Sequence, residues 1–301
     1  MRFLRFIGTL IAASVIIFLL MRAVPGNPAR VALGVNATDE AVEKLTHSMG
    51  LDRPLLVQYL EWMKGLLTGN FGISLSSQQD ITPLVLDRAQ VTLLLIGLAI
   101  ALALAGAIPM GILLARFRLP VLNAATQLGI AVPSFLVGIV LVAVFSVHLG
   151  WLPANGWQLP REGLSHLVLP VISLALVQGA MLTRYVRATL IEEMGKDYIR
   201  TARSLGESRT EALIRHGLRN AALPVLTVTG VQLSTLVVGA VVIENVFVIP
   251  GLGSMLLDAV SSRDLITVQT LIMVFVTFTL TVNLLTDLAY RVIDPRLKEA
   301  R

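Results

Sequence analysis

The sequence predicts an all-α polytopic membrane protein with six transmembrane helices, and three observations carry that. The 301 residues are 55% hydrophobic and only 14% charged, with a mean hydropathy of +0.79, whereas a soluble domain is roughly a quarter charged. The apolar residues fall in six runs, 6–24, 91–115, 122–145, 167–183, 221–243 and 266–285, each long enough to cross or nearly cross a hydrocarbon core of about 30 Å. The basic residues are sorted by the side on which the intervening segments lie.

The first run follows a short basic start. It is longer than the apolar part of a secretory signal and leads into Arg22-Ala23-Val24-Pro25-Gly26, with no small-x-small cleavage site, so it reads as an uncleaved first helix. The segment 25–88 is a long loop that opens on a turn cluster. A Thr38-capped helix over 39–48 and a second helix around 55–67 are expected, packed on the membrane part because the loop is too poor in large apolar residues to stand alone. Residues 89–301 form the five-helix remainder. Pro109, Pro133, Pro170 and Pro224 fall in or at the edge of these runs as candidate kinks.

Arg2 and Arg5, Arg116 and Arg118, the basic residues of a long central polar segment, and Arg291, Arg296, Lys298 and Arg301 all belong to one side. The two short loops of the other side hold only Arg161 and Arg263. The rule that cytoplasmic loops are Lys/Arg-rich then puts both termini in the cytoplasm.

That central segment, 184–222, carries Arg184, Arg187, Lys196, Arg200, Arg203, Arg209, Arg215 and Arg219 between two apolar runs. Asp197 is suited to an N-cap, and Tyr198, Ile199, Ala202 and Leu205 follow at helical spacing, which gives one apolar face with Arg200 and Arg203 elsewhere. Gly206 stops this helix, and Ser208 with Glu211 fits a capping box that starts a second helix running toward Pro224. A short amphipathic helix held between membrane anchors has the shape of a docking element. A solvated basic loop that only fixes topology fits the spacing equally well, and a DNA-binding helix-turn-helix shares the outline but not the membrane setting.

Catalysis finds no support. The chain has no cysteine, and His47, His148, His166 and His216 lack close metal-ligand spacing. No GxxxxGK[ST] phosphate loop is present, and Gly251-Leu252-Gly253 lacks the flanking strand of a dinucleotide site. A secondary carrier needs ionisable groups at membrane depth, yet the six runs contain only Arg22. Gln127, Gln178, Gln232 and Asn283 are the neutral polar groups there. A stand-alone channel has no use for a docking helix. Any energy for uphill movement has to enter from outside the chain.

The stretches Asp197-Tyr198-Ile199-Arg200-Thr201-Ala202-Arg203-Ser204-Leu205-Gly206 and His216-Gly217-Leu218-Arg219-Asn220-Ala221-Ala222-Leu223-Pro224 resemble the cytoplasmic EAA loop of bacterial ABC importer permeases of the dipeptide, oligopeptide, glutathione and nickel group. Further islands match in order: Pro25-Gly26-Asn27-Pro28-Ala29, Gly50-Leu51-Asp52-Arg53-Pro54, Asn70-Phe71-Gly72-Ile73-Ser74, Gly150-Trp151-Leu152-Pro153, His166-Leu167-Val168-Leu169-Pro170, Glu244-Asn245-Val246-Phe247 with Pro250-Gly251-Leu252-Gly253, and Asp294-Pro295-Arg296. Asn27 and Asn70 stand where that family often has Asp, and Ser204-Leu205 replaces a common Ala-Lys pair.

The resemblance implies a non-catalytic permease subunit of the bacterial inner membrane. It implies a second homologous permease, two ABC ATPases that bind ATP and Mg, and an extracytoplasmic solute-binding protein as partners, with no nucleic acid. The implied cargo is peptides or glutathione, with nickel or a metal chelate as the alternative. Asp197, Tyr198, Ile199, Arg200, Thr201, Ala202, Arg203, Leu205 and Gly206 become the ATPase-coupling residues, with Tyr198, Ile199, Ala202 and Leu205 as the buried docking face. Glu244, Phe247, Pro250, Gly251 and Gly253 become an outer gate or receptor contact, or else a simple interfacial turn.

Overall fold

The computed structural model describes residues 2–34, 37–117, 119–157 and 163–293. Arg118, Arg161, Arg296, Lys298, Arg301 and the Asp294-Pro295-Arg296 island lie outside the described residues. In chain order the helices are α1 (Arg2–Ala23), α2 (Pro28–Leu33), α3 (Asp39–Ser48), α4 (Leu55–Thr68), α5 (Thr82–Arg116), α6 (Pro120–Ala131), α7 (Ser134–Leu141), α8 (Gly163–Met194), α9 (Asp197–Ser204), α10 (Arg209–Ala212), α11 (Leu218–Val246), α12 (Leu252–Ser261) and α13 (Leu265–Ile293). Among the described residues the only β pairing is an isolated bridge between Ile73 and Asp80.

Five helical stretches are long and apolar enough to cross a membrane, and the run 122–145 makes a sixth only as a bent pair. Pro133 is the reason. Proline lacks an N–H and crowds the preceding residue out of helical geometry, so Val132 is extended (φ −90°, ψ 122°) and α6 and α7 meet at 104°. Pro109, Pro170 and Pro224, expected as kinks, lie inside uninterrupted helices. After α7 the helix widens to a π-helical turn, Val142–His148.

The chain forms two compact units. The first comprises Met1–Thr92 and Pro250–Thr281. Its core is Ile81, Val85, Leu252, Met255 and Leu271. Thr38 caps α3 by accepting from the Ala41 N–H, as the sequence predicts. The loop helices are pinned by aromatics: Phe18, Tyr59 and Trp62 cluster, the Tyr59 hydroxyl bonds Ser14 at 2.8 Å, and Trp62 Nε1 donates to Thr270 at 3.4 Å. Buried Asp264 accepts from Ser74 Oγ, the Leu75 N–H, the Thr267 N–H and Thr267 Oγ1, and so fastens the 74–81 turn to the start of α13.

The second unit comprises Leu93–Ile249 and Val282–Arg301. Here α6, α7 and α11 all pack on α8. The close approaches use glycine: a Cβ on Gly111 would lie 2.5 Å from Val186 Cγ1, on Gly129 2.9 Å from Ala180 Cβ, and on Gly138 2.9 Å from the Phe247 ring. At 1.5 Å per residue the 32-residue α8 is roughly 48 Å long, so it outruns a hydrocarbon core of about 30 Å. α10, a π-helical turn (Leu213–Gly217) and α11 form one unbroken rod over Arg209–Val246. The second helix of the central segment therefore does run into the fifth apolar run.

Candidate functional site

The candidate site is the turn of chain between α8 and α11. α8 ends at Met194, and Glu193, one residue earlier, is buried. Its carboxylate accepts from Lys196 Nζ at 2.5 Å and from the Tyr198 hydroxyl, so it ties the start of α9 to the end of α8. Burial first, and then the bond to Glu193, hold the Tyr198 phenol above its usual range, against a smaller lowering by Asn220. The same carboxylate raises Lys196.

α9 is eight residues long, too short to persist alone in water. Tertiary contacts hold it: Ile199 and Ala202 are buried against Ala212, with Met194 and Tyr198 packed beside them. The residues predicted as an apolar docking face are therefore divided. Ile199 and Ala202 are covered by the chain itself, Tyr198 is half-buried, and Leu205 is 83% exposed. Leu205 leaves the face because the helix ends at Ser204; periodicity holds only while the helix does.

The ends of α9 also differ from expectation at one point. Asp197 is not the N-cap. Lys196 is, with extended backbone and no side-chain cap, while Asp197 is the first helical residue and pairs with Arg200 at 3.3 Å. At the other end Gly206 takes φ +99°. Its N–H donates to the Arg203 carbonyl and that of Glu207 to the Ala202 carbonyl, the pair of bonds that closes a helix at a left-handed glycine. Ser208 caps α10 by accepting from the Glu211 N–H. Glu207 accepts from His216 Nε2 and Arg215 Nη1, which braces the turn against the rod. What α9 offers outward is thus Asp197, Arg200, Thr201, Arg203, Ser204 and Leu205, a polar ridge of both charges ending in one leucine.

The second predicted group does not form an exposed cluster. Glu244 and Phe247 are buried, with the Phe247 ring in the Gly138 notch and its carbonyl accepting from the Gly156 N–H at 3.0 Å. Pro250, Gly251 and Gly253 belong to the first unit, where Gly251 starts α12 and the next N–H, Leu252, bonds Thr92 Oγ1 at 2.8 Å. Among the described residues no three His, Asp or Glu side chains are grouped to hold a metal.

Sequence reasoning passed over Glu193, Glu207 and Asp264. Asp264 had a local signal, an acidic residue before an apolar run with Thr267 at the third helical position. Glu193 and Glu207 had none, because their partners come from neighbouring helices.

Residues 107–299 match the family described as binding-protein-dependent transport system inner membrane component, and residues 1–96 match the N-terminal family of the same membrane component. A probable peptide ABC transporter permease protein of Sinorhizobium fredii is 34% identical over 300 residues, covering 97% of this chain and 96% of that protein. A glutathione transport system permease protein of Escherichia coli is 36% identical over 304 residues, covering 99% and 97%. The fold also matches a crystal structure of an amino acid ABC transporter with histidines, at a TM-score of 0.56 and 18% identity over 70% of this chain and 94% of that one.

Proposed function

Since the chain belongs to the binding-protein-dependent transport system inner membrane component family, we propose that it is one permease half of an ATP-driven importer for peptides or glutathione. Two ATPase subunits dock on its α9 segment, a second permease completes the path, and an external solute-binding protein delivers cargo. The names of its relatives support the cargo class. Both termini and the 184–222 segment face the cytoplasm, on the distribution of Lys and Arg.

The observation that carries the coupling role is mechanical. α9 has its apolar side sealed onto the chain and is braced by Glu193 and Glu207, and the turn after it feeds a single rod, Arg209–Val246, of roughly 57 Å. A push on α9 from an ATPase therefore reaches the membrane without a hinge. Ile199 and Ala202 serve as its anchor. Asp197, Arg200, Thr201, Arg203 and Leu205 form the surface that meets the ATPase, and Gly206 fixes the angle between α9 and the rod. A rim of exposed charges adds little affinity by itself and mainly sets register and on-rate, so Leu205 is the contact to probe.

The test is co-purification of the tagged chain with its ATPases, followed by ATPase activity in the presence of loaded solute-binding protein. Leu205→Glu and Gly206→Pro are expected to lose the ATPase or its stimulation, and Ser261→Ala, a substitution on exposed α12, to retain both. Retention of the ATPase and its stimulation by both α9 variants would refute the coupling role.

A further inference from the structure

At the end of α5, the start of α6 and the end of α8 a cavity of about 640 Å³ is lined by Arg116, Arg187 and Arg209. Among the described residues none of the three makes an ion pair with a carboxylate. Arg116 lies over the Phe117 ring at 4.8 Å, and half-buried Arg187 donates only to the Leu114 carbonyl at 3.4 Å. α6 starts in the same wall. Leu119 caps it without a side-chain bond and Pro120 follows, so the partial positive charge of a 12-residue helix adds to the three guanidinium groups.

Four residues further along both α5 and α8, roughly 6 Å, a second cavity begins, of about 600 Å³ and lined by apolar and small side chains of the same three helices. It follows α8 from Ile172 to Thr183, roughly 17 Å, about half of a 30 Å hydrocarbon core. A basic head cavity thus caps an apolar groove that is one leaflet long.

We propose that this is a site for an anionic phospholipid of the cytoplasmic leaflet, with the phosphate among Arg116, Arg187 and Arg209 and an acyl chain in the groove between α5, α6 and α8. The leaflet rests on the orientation proposed above. Charge selects the headgroup, because three arginines without carboxylate partners favour a net negative lipid over a zwitterionic one. The groove selects a lipid over a soluble phosphate, because apolar walls give a free ion nothing. The site adjoins the coupling segment through Arg209, the first residue of the rod, so an occupied site would steady the α8 and rod ends against each other.

The experiment is native mass spectrometry of the intact, delipidated importer titrated with phosphatidylglycerol, with phosphatidylcholine and inorganic phosphate as separate arms. Phosphatidylglycerol is expected to bind, phosphatidylcholine to bind far more weakly, and phosphate not to compete. R116Q/R209Q spares the Arg187 packing bond and is expected to weaken phosphatidylglycerol by about fivefold per arginine. Ala125→Phe, which fills the groove from exposed α6, is expected to weaken it with the arginines intact. Size-exclusion profiles matching wild type show that both variants are assembled.

Equal binding of the two lipids, displacement by phosphate alone, or wild-type affinity in R116Q/R209Q would overturn the site. Labelling of Arg209→Cys in right-side-out vesicles by an impermeant maleimide would overturn only its assignment to the cytoplasmic leaflet. Loss of the ATPases with phosphatidylglycerol selectivity retained would count against the importer reading and leave the lipid site standing.

Discussion

Ile199→Ala and Leu205→Ala separate anchoring from docking on one short helix. Ile199 is 1% exposed, and truncating it leaves a cavity beside Ala202 and Ala212 that costs about 3 kcal/mol, mid-range for such a change. An eight-residue helix has little propensity to spare, so that loss falls on local opening. Amide exchange over Asp197–Ser204 in the permease without ATPase is expected to quicken by about a hundredfold in Ile199→Ala. Leu205 is 83% exposed, and its truncation is expected to leave exchange within a factor of two or so of wild type. In the ATPase titration Leu205→Ala weakens binding by about tenfold, from the lost burial of one leucine side chain. Unchanged exchange in Ile199→Ala, or faster exchange in Leu205→Ala, would refute the division of the helix into an inner anchor and an outer contact.

Glu193→Gln removes the acceptor shared by Lys196 and Tyr198. Both partners titrate above their ordinary values of 10.5 and 10.0. A raised folded-state value means that the stabilisation is complete below the ordinary value and is lost as pH rises through the raised one. The deficit of Glu193→Gln, read by exchange over α9, is therefore expected to be constant at neutral pH and to close above about pH 10. Gly111→Ala puts a methyl group 2.5 Å from Val186 Cγ1 and 3.3 Å from the Arg187 nitrogen, so α5 and α8 must part. A loss of about 1–3 kcal/mol in thermal stability is expected, partly restored by Val186→Ala. Asp264→Ala strands the buried Leu75 and Thr267 N–H groups; about 3 kcal/mol of destabilisation and easier proteolysis in the 74–81 turn are expected.

The spans and the coupling segment could be read from sequence because hydropathy, glycine and proline act locally. Thr38, Ser208 and Gly206 behave as their chemistry dictates, each deciding the backbone within a few residues. The failures are equally local in cause. Asp197 and Lys196 are both acceptable at a helix start, and only the backbone shows which is extended. Leu205 fits the period of the Ile199–Ala202 stripe, but the period means nothing past the last helical residue. Which surface covers Ile199 and Ala202 depends on Ala212 and Met194 folding back, a tertiary fact that no spacing encodes. Pro133 breaks its span while Pro109, Pro170 and Pro224 do not, since the outcome depends on what the neighbouring helices do with the freed carbonyls.

The π-helical turn Leu213–Gly217 has a consequence of phase. Buried Leu213, Gly217 and Ala221 step by four residues, whereas Thr229, Gln232, Leu236, Ala240 and Ile243 step by three or four in the proportion of an ordinary α-helix. The wide turn absorbs the surplus without interrupting the hydrogen-bonded rod, as a vernier does on a shaft. Deleting one residue within it would leave the length of the rod almost unchanged but turn everything beyond it by about 100° relative to α9. The side of α11 presented to its neighbours is thus keyed to the docking helix by a single extra residue.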